Sequence, residues 1–171
     1  MRNWEIISFK IGKVHRGYGR GSRKLGYPTA NFPQFESFLN RYNLKNGVYY
    51  GYARVPTFSS IYPFVCNIGL SPTFSGQENP CRIIEIYVID LPKSPDFYEK
   101  PLTIGIVGYL RPEIKFASVE ELRKTIGEDV VAAKSALADF KHSQLRRLHH
   151  FEQLIKATQD IGEKDRWEVV V

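Results

Sequence analysis

CRIIEIYVIDL, residues 81–91, sets branched aliphatic side chains and an aromatic ring around the carboxylate of Glu85, the composition of a short β-strand. Strand alternation sends Ile83, Glu85, Tyr87 and Ile89 to one face and Ile84, Ile86 and Val88 to the other. Working outward, EIISFKIGKV at 5–14 alternates, GVYYGYARV at 47–55 is rich in valine and tyrosine, and IYPFVCNIG at 61–69 and LTIGIVGYL at 102–110 complete the series. Pro63 has no N–H to give a ladder, which places it near an edge or a strand start. The even spacing of these short strands predicts a mainly β single domain, a closed or nearly closed antiparallel barrel.

The pattern changes after residue 117. Ser118 and Glu121 form a capping box, followed by Leu122, Ile126, Val130, Ala133 and Leu137 at helical spacing. Gly127 interrupts the early turns, leaving one helix or two short ones open. Leu145, Leu148, Phe151 and Ile155 predict a further amphipathic helix. The division is therefore 1–140 as barrel with an associated helix, and 141–171 as a helical extension packing on the same domain. His142, Arg146, Arg147, His149 and His150 read as the solvated face of that extension, a contact with a protein or an anionic surface being the alternative. Adjacent histidines on one helix do not converge on a metal.

A chain of 171 residues with 43% hydrophobic and 25% charged residues has material for one packed core, which excludes a disordered or fibrous protein. Its net charge of +6 favours anionic partners without choosing among nucleotide, nucleic acid and membrane surface. Cys66 and Cys81 are too few for a disulfide framework and read as reduced apolar side chains, which fits a cytoplasmic setting and is also compatible with an organelle. No stretch has the length of a membrane span or the blocks of a secretory signal, so a soluble protein is expected.

Three clusters carry chemistry. GKVHRGYGRGSRKLG at 12–26 sets five glycines among Arg16, Arg20, Arg23 and Lys24. Glycine can aim backbone N–H groups at phosphate oxygens, although a flexible basic turn has the same composition and the Walker A spacing is absent. Pro28-Thr29-Ala30-Asn31 puts Thr29 and Asn31 on one side of an extended chain, two neutral oxygen donors that suit magnesium arriving with nucleotide phosphates. An ordinary turn or helix cap would use the same residues. Glu85, flanked by apolar residues, is the strongest candidate for a general base, a buried ion pair being the alternative.

In this order the clusters resemble riboflavin kinase, including the kinase module of bifunctional flavin-nucleotide enzymes. The signatures are GKVHRGYGRGSRKLG, PTANFP, NGVYYGYA, NIGLSPTF, IIEIY, DFYEKP and GYLRPEIKFASVEEL, and the resemblance extends from about Ile11 to Leu137. The resemblance implies a Greek-key barrel that transfers the terminal phosphoryl group of ATP to the ribityl 5′-hydroxyl of riboflavin, giving FMN and ADP. It implies Glu85 as catalytic base, and Arg16, Gly17, Gly19, Gly21, Ser22 and Thr29 as nucleotide-binding residues. It further implies Thr29 and Asn31 as ligands of Mg2+ or another divalent ion, and Arg111 and Phe116 on the flavin side. The partners are then a small-molecule flavin and nucleotide, with no required nucleic acid and no membrane, for a chain acting as a monomer or an isolated module. No adenylyltransferase segment accompanies the motifs, so FMN and not FAD is the expected product. Ser71-Pro72-Thr73-Phe74 and Phe97-Tyr98-Glu99 depart from the family's usual N-P-T-F and F-Y-G. The competing classes are a non-catalytic flavin-binding relative and a basic barrel that binds anions or nucleic acid.

Overall fold

The computed structural model describes residues 7–13, 15–16, 26–32, 39–40, 42–55, 58, 60–70, 82–92, 101–143, 149 and 153. Seven strands, β1 (Ile7–Lys13), β2 (His15–Arg16), β3 (Ala30–Phe32), β4 (Gly47–Arg54), β5 (Ile61–Leu70), β6 (Arg82–Val88) and β7 (Pro101–Arg111), form one sheet. They are followed by helix α1 (Val119–Ser143). The spatial order is β1-β7-β4-β5-β6-β3-β2, and every neighbouring pair is antiparallel. Within it β4, β5 and β6 follow one another and β7 returns beside β4, the connectivity of a Greek key.

The sheet is open, which corrects the closed or nearly closed barrel expected from the sequence. Its order ends at β1 on one side and β2 on the other, and among the described residues no ladder joins these two edges. Strand spacing alone could not reveal this. Among the described residues β2 and β3 on that side are two and three residues long.

Alternation distributes the sheet between two cores. Phe64, Cys66, Ile68, Ile84, Ile86, Val88, Ile104 and Ile106 pack on one face, joined by Leu39 and Leu44. On the other face Tyr50, Tyr52, Val65, Ile89 and Val107 receive Ala133, Leu137 and Phe140 of α1. Strand β4 supplies both, Tyr49 and Ala53 to the first and Tyr50 and Tyr52 to the second, which is why it is buried nearly throughout. At Gly51 a Cβ would collide with the Gly105 carbonyl, so glycine is what lets β4 and β7 approach here. Pro63 lies near the start of β5, one residue before the first β5–β6 rung, Phe64↔Val88. Its carbonyl accepts from the Ile89 N–H at 2.8 Å. The missing proline donor therefore costs the ladder nothing beyond its last rung.

Burial pushes the Cys66 thiol well above its ordinary pKa, because a thiolate cannot be solvated in that core. Cys66 should resist iodoacetamide at pH 8 in the native protein and label fully once denatured, as read by peptide mass spectrometry. Native labelling at a comparable rate would contradict its place in the core.

Helix α1 is continuous across Gly127 and across residues 140–141, so the reading of two short helices there gives way to one. Its start is capped as expected: the Glu121 N–H donates to Ser118 Oγ at 3.1 Å. The Glu121 carboxylate reaches one residue beyond the cap, accepting from the Ala117 N–H at 2.8 Å. Ser118→Ala should cost about 1 kcal/mol, a fall of roughly 2–4 °C in melting temperature. An unchanged thermal melt would show that the cap contributes nothing. His149 and Gln153 are helical, whereas Leu145, Leu148, Phe151 and Ile155 of the expected second helix lie outside the described residues.

Candidate active site

Glu85 lies on the β6 face that carries Tyr87 and Ile89, the face shared with α1. Sheet register then supplies its neighbours. Asn31 of β3 and Asn67 of β5 stand directly opposite Glu85, one on each side. The rung continues outward to His15 beyond Asn31, and to Val48 and Arg111 beyond Asn67. Directly opposed residues of an antiparallel pair project from the same face with Cβ atoms about 4.5–5.5 Å apart. A carboxylate is thus bracketed by two amides in the middle of a sheet.

Thr29 precedes β3 and donates its hydroxyl to Glu85 Oε1 at 2.5 Å. Asn31 is only 4% exposed, and its Oδ1 has no hydrogen-bond partner among the described residues. An orphaned buried amide oxygen costs free energy unless something meets it. With the Thr29 hydroxyl and the Glu85 carboxylate close by, it completes a set of hard oxygen donors suited to a magnesium ion. Among the described residues no three His, Cys, Asp or Glu side chains converge on a metal position, so a metal here would draw on the Thr29 and Asn31 oxygens with at most the single carboxylate of Glu85.

The β5 flank of Glu85 is furnished by Asn67 and Glu113, which the sequence did not single out. Asn67 donates from Nδ2 to Glu113 Oε1 at 2.9 Å, and Glu113 sits over Gly69, where a Cβ would strike its carboxylate. Alternation along IYPFVCNIG puts Asn67 with Val65. That was the available signal, but the register placing it opposite Glu85 is a tertiary fact. Arg111 Nε and Nη2 donate to Asp129 Oδ1 and Oδ2 at 2.8 and 2.7 Å, and Nη1 donates to the Pro112 carbonyl at 3.0 Å. Phe116 is half-buried in the connection between β7 and α1. Thr29, Asn31 and Glu85 are therefore brought together, whereas the Arg111 guanidinium is engaged with the helix. Arg16 stands opposite Ala30 in β2, at the same edge. Gly17, Gly19, Gly21, Ser22, Ser71–Phe74 and Phe97–Glu99 lie outside the described residues.

Comparison with known proteins decides the family. A family model described as riboflavin kinase matches residues 7–137. The chain belongs to the riboflavin kinase family. Among riboflavin kinases, that of Mus musculus is 38% identical over 144 residues, covering 84% of this chain and 90% of the relative. That of Homo sapiens is 37% identical with the same coverage. The crystal structure of riboflavin kinase from Trypanosoma brucei matches with a TM-score of 0.65 over 99% of this chain and all of that one, at 24% identity, a likeness of fold.

Proposed function

We propose that this chain transfers the γ-phosphoryl group of ATP to the ribityl 5′-hydroxyl of riboflavin, forming FMN and ADP. The observation that carries the reading is the junction of Glu85 with Asn31, opposite it on one rung and with an Oδ1 that has no partner among the described residues, and with the Thr29 hydroxyl just before β3. Generic basic charge would not call for that arrangement.

Glu85 is the only carboxylate in that junction among the described residues and has an amide on either side, so one carboxylate oxygen is held by Thr29 while the group can still take a proton. It orients the 5′-hydroxyl and accepts its proton as the oxygen bonds to the γ-phosphorus and the bond to the bridging oxygen of ADP breaks. Phosphates enter from the β2–β3 edge, where Arg16 and the glycine-rich segment begin. The flavin then approaches from the side of Asn67, Arg111 and Phe116. Thr29 Oγ1 and Asn31 Oδ1 would hold Mg2+, which when bound neutralises charge developing on the transferred phosphoryl group. No helix among the described residues is long and apolar enough to cross a membrane.

The test is a time course with purified protein, riboflavin, ATP and Mg2+, with chromatographic and mass identification of the flavin. FMN accumulating with stoichiometric ADP is the expected result. A folded protein that binds riboflavin and makes no FMN would overturn the proposal in favour of a non-catalytic relative.

A further inference from the structure

Thr29 holds a hydroxyl 2.5 Å from Glu85, yet it stands outside the sheet. Pairing of β3 with β6 begins at Ala30↔Ile86, so Tyr27, Pro28 and Thr29 come before the first rung. Pro28 has no N–H with which to extend the ladder. Side-chain packing is therefore available to help fix this stretch.

Tyr27 is placed to do so. Its ring meets Tyr87 edge-on, with centroids 5.1 Å apart and planes at 90°. Its hydroxyl faces α1 at Gly127, where an added Cβ would lie 3.3 Å from the oxygen. In an extended chain Tyr27 and Thr29 share a side, as Glu85 and Tyr87 do on β6. The contacts Tyr27–Tyr87 and Thr29–Glu85 are thus successive steps of one side-chain ladder, carried on toward the helix after the backbone ladder ends. Glycine in a helix interior costs about 1 kcal/mol relative to alanine, and α1 carries one where the Tyr27 hydroxyl arrives.

We propose that Tyr27 is a positioning residue that, seated between Tyr87 and the notch at Gly127, sets the Thr29 hydroxyl against Glu85. This rests on the phosphotransfer reading of the site. Tyr27 touches neither Glu85 nor the reacting atoms in this arrangement and acts through Thr29.

The experiment is a double-mutant cycle of Tyr27→Ala and Thr29→Val, with kcat, both KM values, thermal melts and calorimetric binding of Mg2+·ATP. Tyr27→Ala should lower kcat about tenfold and weaken Mg2+·ATP binding, leaving riboflavin KM within about twofold, because the coupling runs to Thr29 and not to the acceptor side. Tyr27→Phe keeps the ring contact and should recover most of the loss. The double variant should be no slower than Thr29→Val alone. Losses that multiply in the double variant, or a Tyr27→Ala enzyme with unchanged kcat and nucleotide binding, would overturn the proposal. Where Tyr27→Ala does not fold, Gly127→Leu fills the notch and carries the same expectations. Failure of the native chain to make FMN would count against the phosphotransfer reading, whereas the calorimetric arm of the cycle reports on Tyr27 and Thr29 without turnover.

Discussion

Glu85→Gln is expected to lower kcat by about 10²- to 10⁴-fold, the usual worth of a positioned general base, while the protein stays folded. The amide is nearly isosteric with the carboxylate and keeps an oxygen that accepts from Thr29, so the bond that now ties Glu85 to Thr29 survives the change. Asn31 and Asn67 still flank it. What disappears is the capacity to take a proton from the 5′-hydroxyl. Melting temperature should therefore move by no more than roughly 4 °C, about 1 kcal/mol for a chain of this size. Chromatographic FMN assays beside circular-dichroism melts check both halves. Near-native turnover in a folded Glu85→Gln protein would remove Glu85 from the chemistry and leave it a strand residue that anchors Thr29.

The comparison of Glu85 with Arg111 shows what a sequence reveals of a site. Glu85 could be found because a carboxylate with apolar neighbours on both faces of a strand breaks the local pattern, and such a break needs a reason. Thr29 and Asn31 could be found because proline and extended geometry place them on one side. That Asn31 stands opposite Glu85 is a matter of register, set by contacts between segments more than 50 positions apart, which no local pattern encodes. Asn67 stayed hidden for the same reason. Its side follows from alternation, but its neighbour does not.

The fold divides similarly. Strand identity and the helix start follow from local chemistry: two-residue alternation, and a serine and glutamate three apart whose bonds to Glu121 N and Ala117 N are present. Closure does not follow, because it depends on which strands come to lie side by side, a tertiary fact that alternation within a strand does not carry. The described order ends at β1 and β2. Gly127 shows the limit of propensity. A glycine in a helical pattern reads as an interruption, yet packing of Ala133, Leu137 and Phe140 against the sheet carries α1 straight through it.

Asp129→Ala is expected to give the largest loss of stability among the site's neighbours. The pair joins the end of β7 to α1 through two charge-assisted bonds, with side-chain exposures of 23% for Arg111 and 10% for Asp129. Deleting the acid leaves a guanidinium largely out of water without its counter-charge. Breaking a fully buried pair this way costs about 3–5 kcal/mol. Residual exposure of Arg111 lowers that to roughly 2–4 kcal/mol, a drop of about 5–15 °C in melting temperature. Replacing both partners, as Arg111→Met with Asp129→Leu, should restore much of the loss, since an apolar pair of similar volume avoids the unpaired charge. The same double variant separates two roles for Arg111. If the guanidinium serves only to hold α1, the stabilised double variant should bind riboflavin with its KM within about twofold of native. A rise of tenfold or more at restored stability would show that Arg111 also meets the flavin. A single Asp129→Ala variant that melts with the native protein would mean that water already compensates the charge, and that the clamp contributes little to holding the helix across the site.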